Sequence, residues 1–248
     1  MKNYLLKIAY DGADYHGWQV QENALTVQQL LQDAIEQIFG KRYSVIGCSR
    51  TDAGVHALEF CCNFKADCSI PDSNIPFALN SKLPDAIVVK KCVELDLDFH
   101  ARYDCRGKEY TYIIHNSIIK DPFLRGRAWE YKHKLNSELM NLQCKDFIKT
   151  ADFSAFCASG SSVEDKIRTI YSASVEQKDD NIYFKVCGNG FLYNMVRIMA
   201  GTLVDISQGR IKPNSIDDII ESRNRENAGI TAPACGLYLS RVLYDFEF

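Results

Sequence analysis

The chain predicts an α+β fold made of two ferredoxin-like halves, residues 1–100 and 101–248. Three observations carry that expectation. Apolar residues switch between period two and period 3.6 in the order β-α-β-β-α-β, the same order recurs after residue 101, and an acidic run, Glu94-Leu95-Asp96-Leu97-Asp98, marks the junction. The repeat is one of element order, without residue-level similarity. A central, mostly antiparallel sheet is expected, and a cleft between the halves would draw its residues from both.

In the first half, Tyr4, Leu6, Ile8 and Tyr10 alternate with Leu5, Lys7 and Ala9, a strand that stops at Asp11-Gly12. Val27, Leu30, Leu31, Ala34, Ile35, Ile38 and Phe39 then share one face at helical spacing, with Thr26 and Gln29 as a capping-box pair and Gly40 as the stop. Short strands follow around Ser44–Cys48 and Leu58–Phe64, then a helix from Ser73 to Lys82 and a strand at Ala86–Val93. The second half reads as strand Glu109–His115, helix Ser137–Thr150, strands Ile167–Gln177 and Ile182–Cys187, and a long helix from Phe191 to Ser207. An inserted helix near Ser215–Glu221 precedes a final strand, Leu237–Tyr244.

A length of 248 residues with 46% hydrophobic content supplies a real core. Charge enters the first apolar stretch at Lys2 and Lys7, and no run of about 18 apolar residues occurs, so neither a leader nor a membrane span is expected. Ten cysteines are scattered singly except for Cys61-Cys62, which predicts reduced thiols and a cytoplasmic protein. No C-x-x-C or C-x-x-H spacing occurs, and strand neighbours such as Cys61 and Cys62 face opposite ways, so no metal and no cofactor is expected.

The net charge of −3 does not advertise a nucleic-acid partner. Between His100 and Lys134, however, eight cations (Arg102, Arg106, Lys108, Lys120, Arg125, Arg127, Lys132, Lys134) stand against four acids. They are interleaved with Tyr103, Tyr110, Tyr112, Phe123, Trp129 and Tyr131, a composition that suits phosphates and stacked bases as well as a solvated face.

The segment Cys48-Ser49-Arg50-Thr51-Asp52-Ala53-Gly54-Val55-His56 places three ionisable residues in a connection between two predicted strands, where function often resides. An Asx-turn around Asp52 is the plainer alternative. The helix from Phe191 is apolar around most of its circumference yet carries Arg197 in its middle, and a guanidinium there demands an anion or an edge. Asp205 and Glu221 are candidate partners, as is an active-site carboxylate. On strand Glu109–His115 the row Tyr110, Tyr112, Ile114 faces one way, which serves equally as core or as a platform for a base. Gly188-x-Gly190 between a strand and a helix hints at a nucleotide cofactor, but the third glycine of that motif is missing.

At these residues the sequence resembles the tRNA pseudouridine synthases of the TruA type. Arg-Thr-Asp-Ala-Gly-Val-His stands intact from Arg50 to His56. Tyr10-Asp11-Gly12, Gly17-Trp18-Gln19, Phe99-His100-Ala101-Arg102, Lys108-Glu109-Tyr110-Thr111-Tyr112, Asn189 to Arg197 and Gly236-Leu237-Tyr238-Leu239 follow in the family's order, covering essentially the whole chain. The resemblance implies the pseudouridine synthase fold, with Asp52 as the catalytic aspartate, Tyr110 packed on the target base and Arg197 as basic partner of the aspartate. It further implies that Arg50 and His56 face the RNA while Arg102, Arg106 and Lys108 hold phosphates.

The implied reaction is isomerisation of uridine to pseudouridine at positions 38, 39 and 40 of the tRNA anticodon stem-loop, by a homodimer in which one tRNA contacts both subunits. Ser49 stands where the family often has glycine, and Glu59-Phe60 replaces a common glycine-glutamine pair. Another tRNA position or a ribosomal RNA is therefore the alternative target. A non-catalytic RNA-binding module is a weaker reading, because binding alone needs neither Asp52 nor a buried arginine.

Overall fold

The computed structural model describes residues 1–161 and 163–247 and divides into two compact units. Unit 1 comprises Met1–Arg106 and the chain from Tyr238 onward; unit 2 is Gly107–Leu237. The chain passes from unit 1 to unit 2 after Arg106 and returns to unit 1 at Tyr238.

Unit 1 runs β1 (Lys2–Tyr10), α1 (Val27–Phe39), β2 (Val45–Gly47), β3 (His56–Ala66), a 3₁₀ turn at Asp72–Asn74, α2 (Ile75–Asn80) and β4 (Ile87–Leu95). Its sheet has the order β4, β1, β3 with β2 also on β3, all antiparallel. The strand β10 (Leu237–Leu243) joins β3 in parallel, Tyr238 opposite His56 and Leu239 opposite Ala57.

Helix α1 buries Val27, Leu31, Ala34 and Ile35, one face at the spacing a packed helix requires, and ends on left-handed Gly40, whose N–H donates to Glu36 O at 2.9 Å. The expected capping box does not form. Thr26 makes no side-chain cap bond, and its Oγ1 is buried without a hydrogen-bond partner among the described residues. The first-turn amides are satisfied from elsewhere: Val27 N–H donates to Gly17 O (3.2 Å) and Gln28 N–H to Trp18 O (3.0 Å).

A buried amide pair, unforeseen from the sequence, fixes the segment after β4. Asn3 Nδ2 donates to Asp96 O and Phe99 O, both at 2.9 Å, Asn63 Nδ2 donates to Asn3 Oδ1 (2.9 Å), and Ala101 N–H donates to Asn63 Oδ1 (2.9 Å). Neither side chain is accessible to solvent.

Unit 2 runs β5 (Gly107–His115), β6 (Trp129–Glu130), α3 (Ser137–Gln143), β7 (Thr150–Asp152), β8 (Ile167–Lys178), β9 (Asn181–Gly188), α4 (Met195–Ser207) and α5 (Ile216–Ser222). Its strands pair in the order β5, β9, β8, β7, antiparallel throughout, with β6 parallel on β5. Asn136 caps α3 through its Oδ1, which accepts from Leu139 N–H. The helix expected to reach Thr150 stops at Gln143 and tightens into a 3₁₀ turn at Cys144–Phe147. The β-branched Ile148 and Thr150 beyond it favour extended chain, and Thr150 pairs with Thr169. Helix α4 starts at Met195, four residues later than expected, because Asn194 adopts a left-handed conformation (φ 59°).

Among the described residues no helix is long and apolar enough to cross a membrane. Burial pushes the thiols of Cys61 and Cys62 well up and that of Cys92 up to about 12, which keeps them protonated and inert at neutral pH.

Asn63→Ala strips Asn3 Oδ1 and the Ala101 N–H of their partner at once. Stability should fall by about 2 kcal/mol or more, given about 1–3 kcal/mol for each buried group left unpaired. Urea unfolding at constant m measures it, and a loss below roughly 0.5 kcal/mol would show that the pair does not hold this segment.

Candidate functional site

The Arg50–His56 loop leaves β2 and enters β3, and the chain from Tyr10 to Trp18 grips it almost entirely through backbone. Trp18 N–H donates to Thr51 O (3.1 Å), Gly54 N–H to Tyr15 O (3.1 Å), and Val55 N–H closes a turn on Asp52 O (3.2 Å). Tyr10 Oη and Thr51 Oγ1 share a buried hydrogen bond of 2.9 Å. Two glycines make this approach possible. A Cβ on Gly12 would collide with the Val55 carbonyl, and one on Gly17, which also sits at φ 85°, would collide with the Thr51 carbonyl. The motifs Tyr10-Asp11-Gly12 and Gly17-Trp18 thus build the cradle of the Asp52 loop. Asp52 itself is partly exposed, flanked by buried Thr51 and exposed Ala53.

His56 does not face outward as expected. Only 2% of it is exposed, and it stacks on Tyr238 with ring centroids 4.6 Å apart. Its Nδ1 lies 3.0 Å from both the Gly12 N–H and an Asp11 carboxylate oxygen: unprotonated it accepts from Gly12, protonated it donates to Asp11. The parallel pairing of β3 with β10 brings these rings together. His56 is part of the loop's anchorage.

The remaining expected cations of unit 1 differ in their engagements. Arg106 is held by Asp245, with Nη2 at 2.6 Å and Nε at 2.8 Å from Oδ2. The guanidinium groups of Arg50 and Arg102 are exposed and have no hydrogen-bond or ion-pair partner among the described residues. Both line one open depression. Of the residues that depart from the family's usual pattern, Ser49 lines the same depression, Glu59 pairs with Lys7 (3.4 Å), and Phe60 is buried under Trp18, stacked at 4.1 Å.

In unit 2, Tyr110 is buried on β5 and meets Phe191 edge-on at 5.1 Å. Tyr112 belongs wholly to the core. Its hydroxyl donates to Pro233 O (2.6 Å), and burial pushes its pKa far up. Lys108 sits half-buried at the start of the same strand, opposite Gly188 of β9. The turn after β9 packs on β8, with Thr169 N–H donating to Asn189 Oδ1 and Asn189 N–H to Thr169 O, so it serves the sheet.

Arg197 lies half-buried in the first turn of α4, whose other residues are buried except Ser207 at its end. Its Nε donates to Ala232 O (2.7 Å) and its Nη1 to Asn194 Oδ1 (2.8 Å), both neutral acceptors. One carboxylate suggested by the sequence is otherwise engaged: Asp205 Oδ1 binds Arg210 (2.6 Å) and its Oδ2 accepts from Ile230 N–H (3.1 Å). Thr202 Oγ1 accepts from Gly229 N–H (2.9 Å), and Ala232 N–H donates to Arg197 O (3.1 Å). The segment 229–232 is therefore strapped along α4 by Arg197, Thr202 and Asp205, which fixes the arginine stem. Sequence reasoning missed this strap because its contacts are mostly to backbone.

A family model described as tRNA pseudouridine synthase matches residues 7–104 and 144–245. Proteins named tRNA pseudouridine synthase A from Acetivibrio thermocellus, Thermoanaerobacter sp. and Clostridium acetobutylicum are 49%, 48% and 45% identical to this chain. Each comparison spans 244 residues, 98% of this chain and the whole of the relative.

Gly17→Ala should displace the Asp52 loop without emptying the core. A shift near 1 Å at a reacting group costs up to about 100-fold in rate, so kcat should fall at least tenfold with little change in affinity for RNA. A single-turnover assay with a parallel binding measurement checks it; an unchanged kcat would show that the cradle does not position Asp52.

Proposed function

The chain belongs to the tRNA pseudouridine synthases, isomerases that convert uridine to pseudouridine in tRNA, and from that premise we propose that its targets are uridines 38, 39 and 40 of the anticodon stem-loop. Asp52 is the carboxylate that acts on the nucleotide, Tyr110 the ring against which the uracil packs, and Arg197 the cation that pairs with Asp52. The observation that carries this reading is the intact Arg50–His56 motif, held by a purpose-built backbone cradle that leaves the Asp52 side chain partly exposed.

The reaction breaks the N1–C1′ glycosidic bond, turns the uracil while it stays bound, and joins C5 to C1′. The proton leaves C5 and N1 ends protonated, so no redox partner or group donor is consumed. An ionised carboxylate can add to the ribose or the base, or remove a ribose proton, and Asp52 serves either route. The target must leave its stack to reach a carboxylate on a loop so tightly held, and phosphate-binding cations around the loop favour that extrusion. Arg50, Arg102, Arg106 and Lys108 fill that role in this reading. The enzyme works as a cytoplasmic homodimer, with one tRNA touching both subunits and no cofactor. Very exposed Ile118, Ile119 and Phe123 give unit 2 an apolar surface of the kind protein interfaces cover. Mapping pseudouridine in tRNA from cells with and without the gene tests the target: loss confined to another position or to ribosomal RNA would replace it.

Asp52→Asn should abolish turnover while leaving tRNA affinity within a few-fold, because the amide keeps the shape but cannot act as nucleophile or base. Residual kcat within about tenfold of wild type, about 1.4 kcal/mol of barrier, would remove Asp52 from the mechanism. Arg197→Met should cost stability as well as activity, and prior Asp52→Asn should blunt the stability loss. A double-mutant cycle without coupling would assign Arg197 another partner.

A further inference from the structure

We propose that the depression beside the Asp52 loop is a second RNA subsite, which takes an unstacked ribonucleotide of the tRNA other than the uridine being isomerised. The inference rests on the reading that RNA is presented to Asp52. It identifies a place where the rest of that RNA is gripped through a base as well as a phosphate.

The depression has a volume of about 210 Å³ and lies within unit 1. A cavity of about 150 Å³ accommodates a benzene ring, so a nucleobase fits with its ribose toward solvent. The floor is Trp18, 2% exposed and braced by its stack on Phe60. One wall is Tyr103, 75% exposed and stacked on His100 at 4.1 Å with an interplanar angle of 27°.

That pair is held from beneath. The N–H groups of Arg102 and Tyr103 both reach His100 Nδ1 at 3.2 Å, and the Asp104 carboxylate accepts from His100 N–H at 2.7 Å. The buried Asn3–Asn63 pair fixes the chain just before it. A rigid, solvent-facing aromatic ring is a platform on which any base can stack.

The opposite charge requirement is met at the rim. Arg50 and Arg102, exposed and without a hydrogen-bond or ion-pair partner among the described residues, both line the depression, and no carboxylate is among its lining residues. Gln19, exposed and also without a partner among the described residues, offers an amide to a base edge. Gln28 does not, since its amide is spent on Val20 N–H and Val45 O.

Aromatic wall, paired arginines and one amide are the recognition set of a nucleotide unit, the guanidinium forks matching phosphate oxygens. The unit belongs to the bound RNA because of where the depression lies. Arg50 is two residues from Asp52, at most about 7 Å along the chain, which a strand rising about 3.4 Å per stacked nucleotide covers in two steps.

The test is a coupling measurement by affinity, with the full-length protein and a tRNA transcript containing the target uridine. Tyr103→Ala should raise Kd about tenfold, the scale of one lost base stack, while Tyr103→Phe stays near wild type and both keep the wild-type Tm. Single abasic nucleotides are then placed in turn on either side of the target. At one position the missing base should weaken wild type about tenfold and Tyr103→Ala not at all. Penalties that multiply at every position would overturn the subsite, as would Tyr103→Ala binding like wild type. Competition by free AMP or UMP at micromolar concentration would reassign the depression to a free nucleotide and overturn it too. Release of tritium from C5-labelled uridine, followed separately, reports on the Asp52 reading and does not enter these affinities.

Discussion

A side chain on a loop is placed no more accurately than the loop that carries it, and loops are ordinarily the least fixed part of a fold. Here the loop is fixed by close backbone contact between Thr51–Val55 and the segment from Gly12 to Trp18, possible only because positions 12 and 17 lack a Cβ. The same segment supplies the carbonyls of Gly17 and Trp18 that cap α1. Movement of the loop would therefore disturb a helix start and the buried Tyr10–Thr51 hydrogen bond together, which converts a local geometry into a property of the whole unit. His56 closes the arrangement from the far end, stacked between the loop and the terminal strand.

The arginine is positioned by a different device with the same logic. A guanidinium on an otherwise buried helix is costly unless its donors are met, and neutral oxygens from Asn194 and Ala232 satisfy two of them without neutralising the charge. Asp205, the acid that would have quenched it from one turn pair along α4, is engaged by Arg210 and the Ile230 amide. The stem of Arg197 is thereby fixed along α4.

Most of this was legible in the residues, but unevenly. Period-two and period-3.6 patterns located β1, α1, β5 and β9 to within a few residues, because each buries one regular face. The end of α3 and the start of α4 were misread, since apolar residues continue beyond both and only the pairing of Thr150 with Thr169 and the left-handed Asn194 mark the change. The capping box does not form although Thr26 and Gln29 have the right identities: Thr26 makes no side-chain cap bond, and the carbonyls of Gly17 and Trp18 meet the Val27 and Gln28 amides instead. The burial of His56 is not legible in its motif, because it depends on Tyr238, distant in sequence and adjacent only through β10. The Asn3–Asn63 pair left no trace, because two asparagines on amphipathic strands look like solvent-facing polar positions until the strands are registered.

Net charge misleads here for a physical reason. An acidic total of −3 describes a chain in which many cations already have acids beside them, among them Lys2 with Glu94, Arg42 with Asp33 and Glu36, Lys120 with Glu130 and Arg106 with Asp245. Solvent screens exposed pairs of this kind, so a phosphate arriving at Arg106 can displace Asp245 at small cost. Affinity for a polyanion follows the number of phosphates neutralised, each releasing counterions, and is nearly blind to acids on other faces. The cations that matter are those that meet phosphate without first surrendering a partner. Among the described residues Arg50 and Arg102 have no partner to surrender; Arg50 opens the Asp52 loop, and both arginines line the depression next to it.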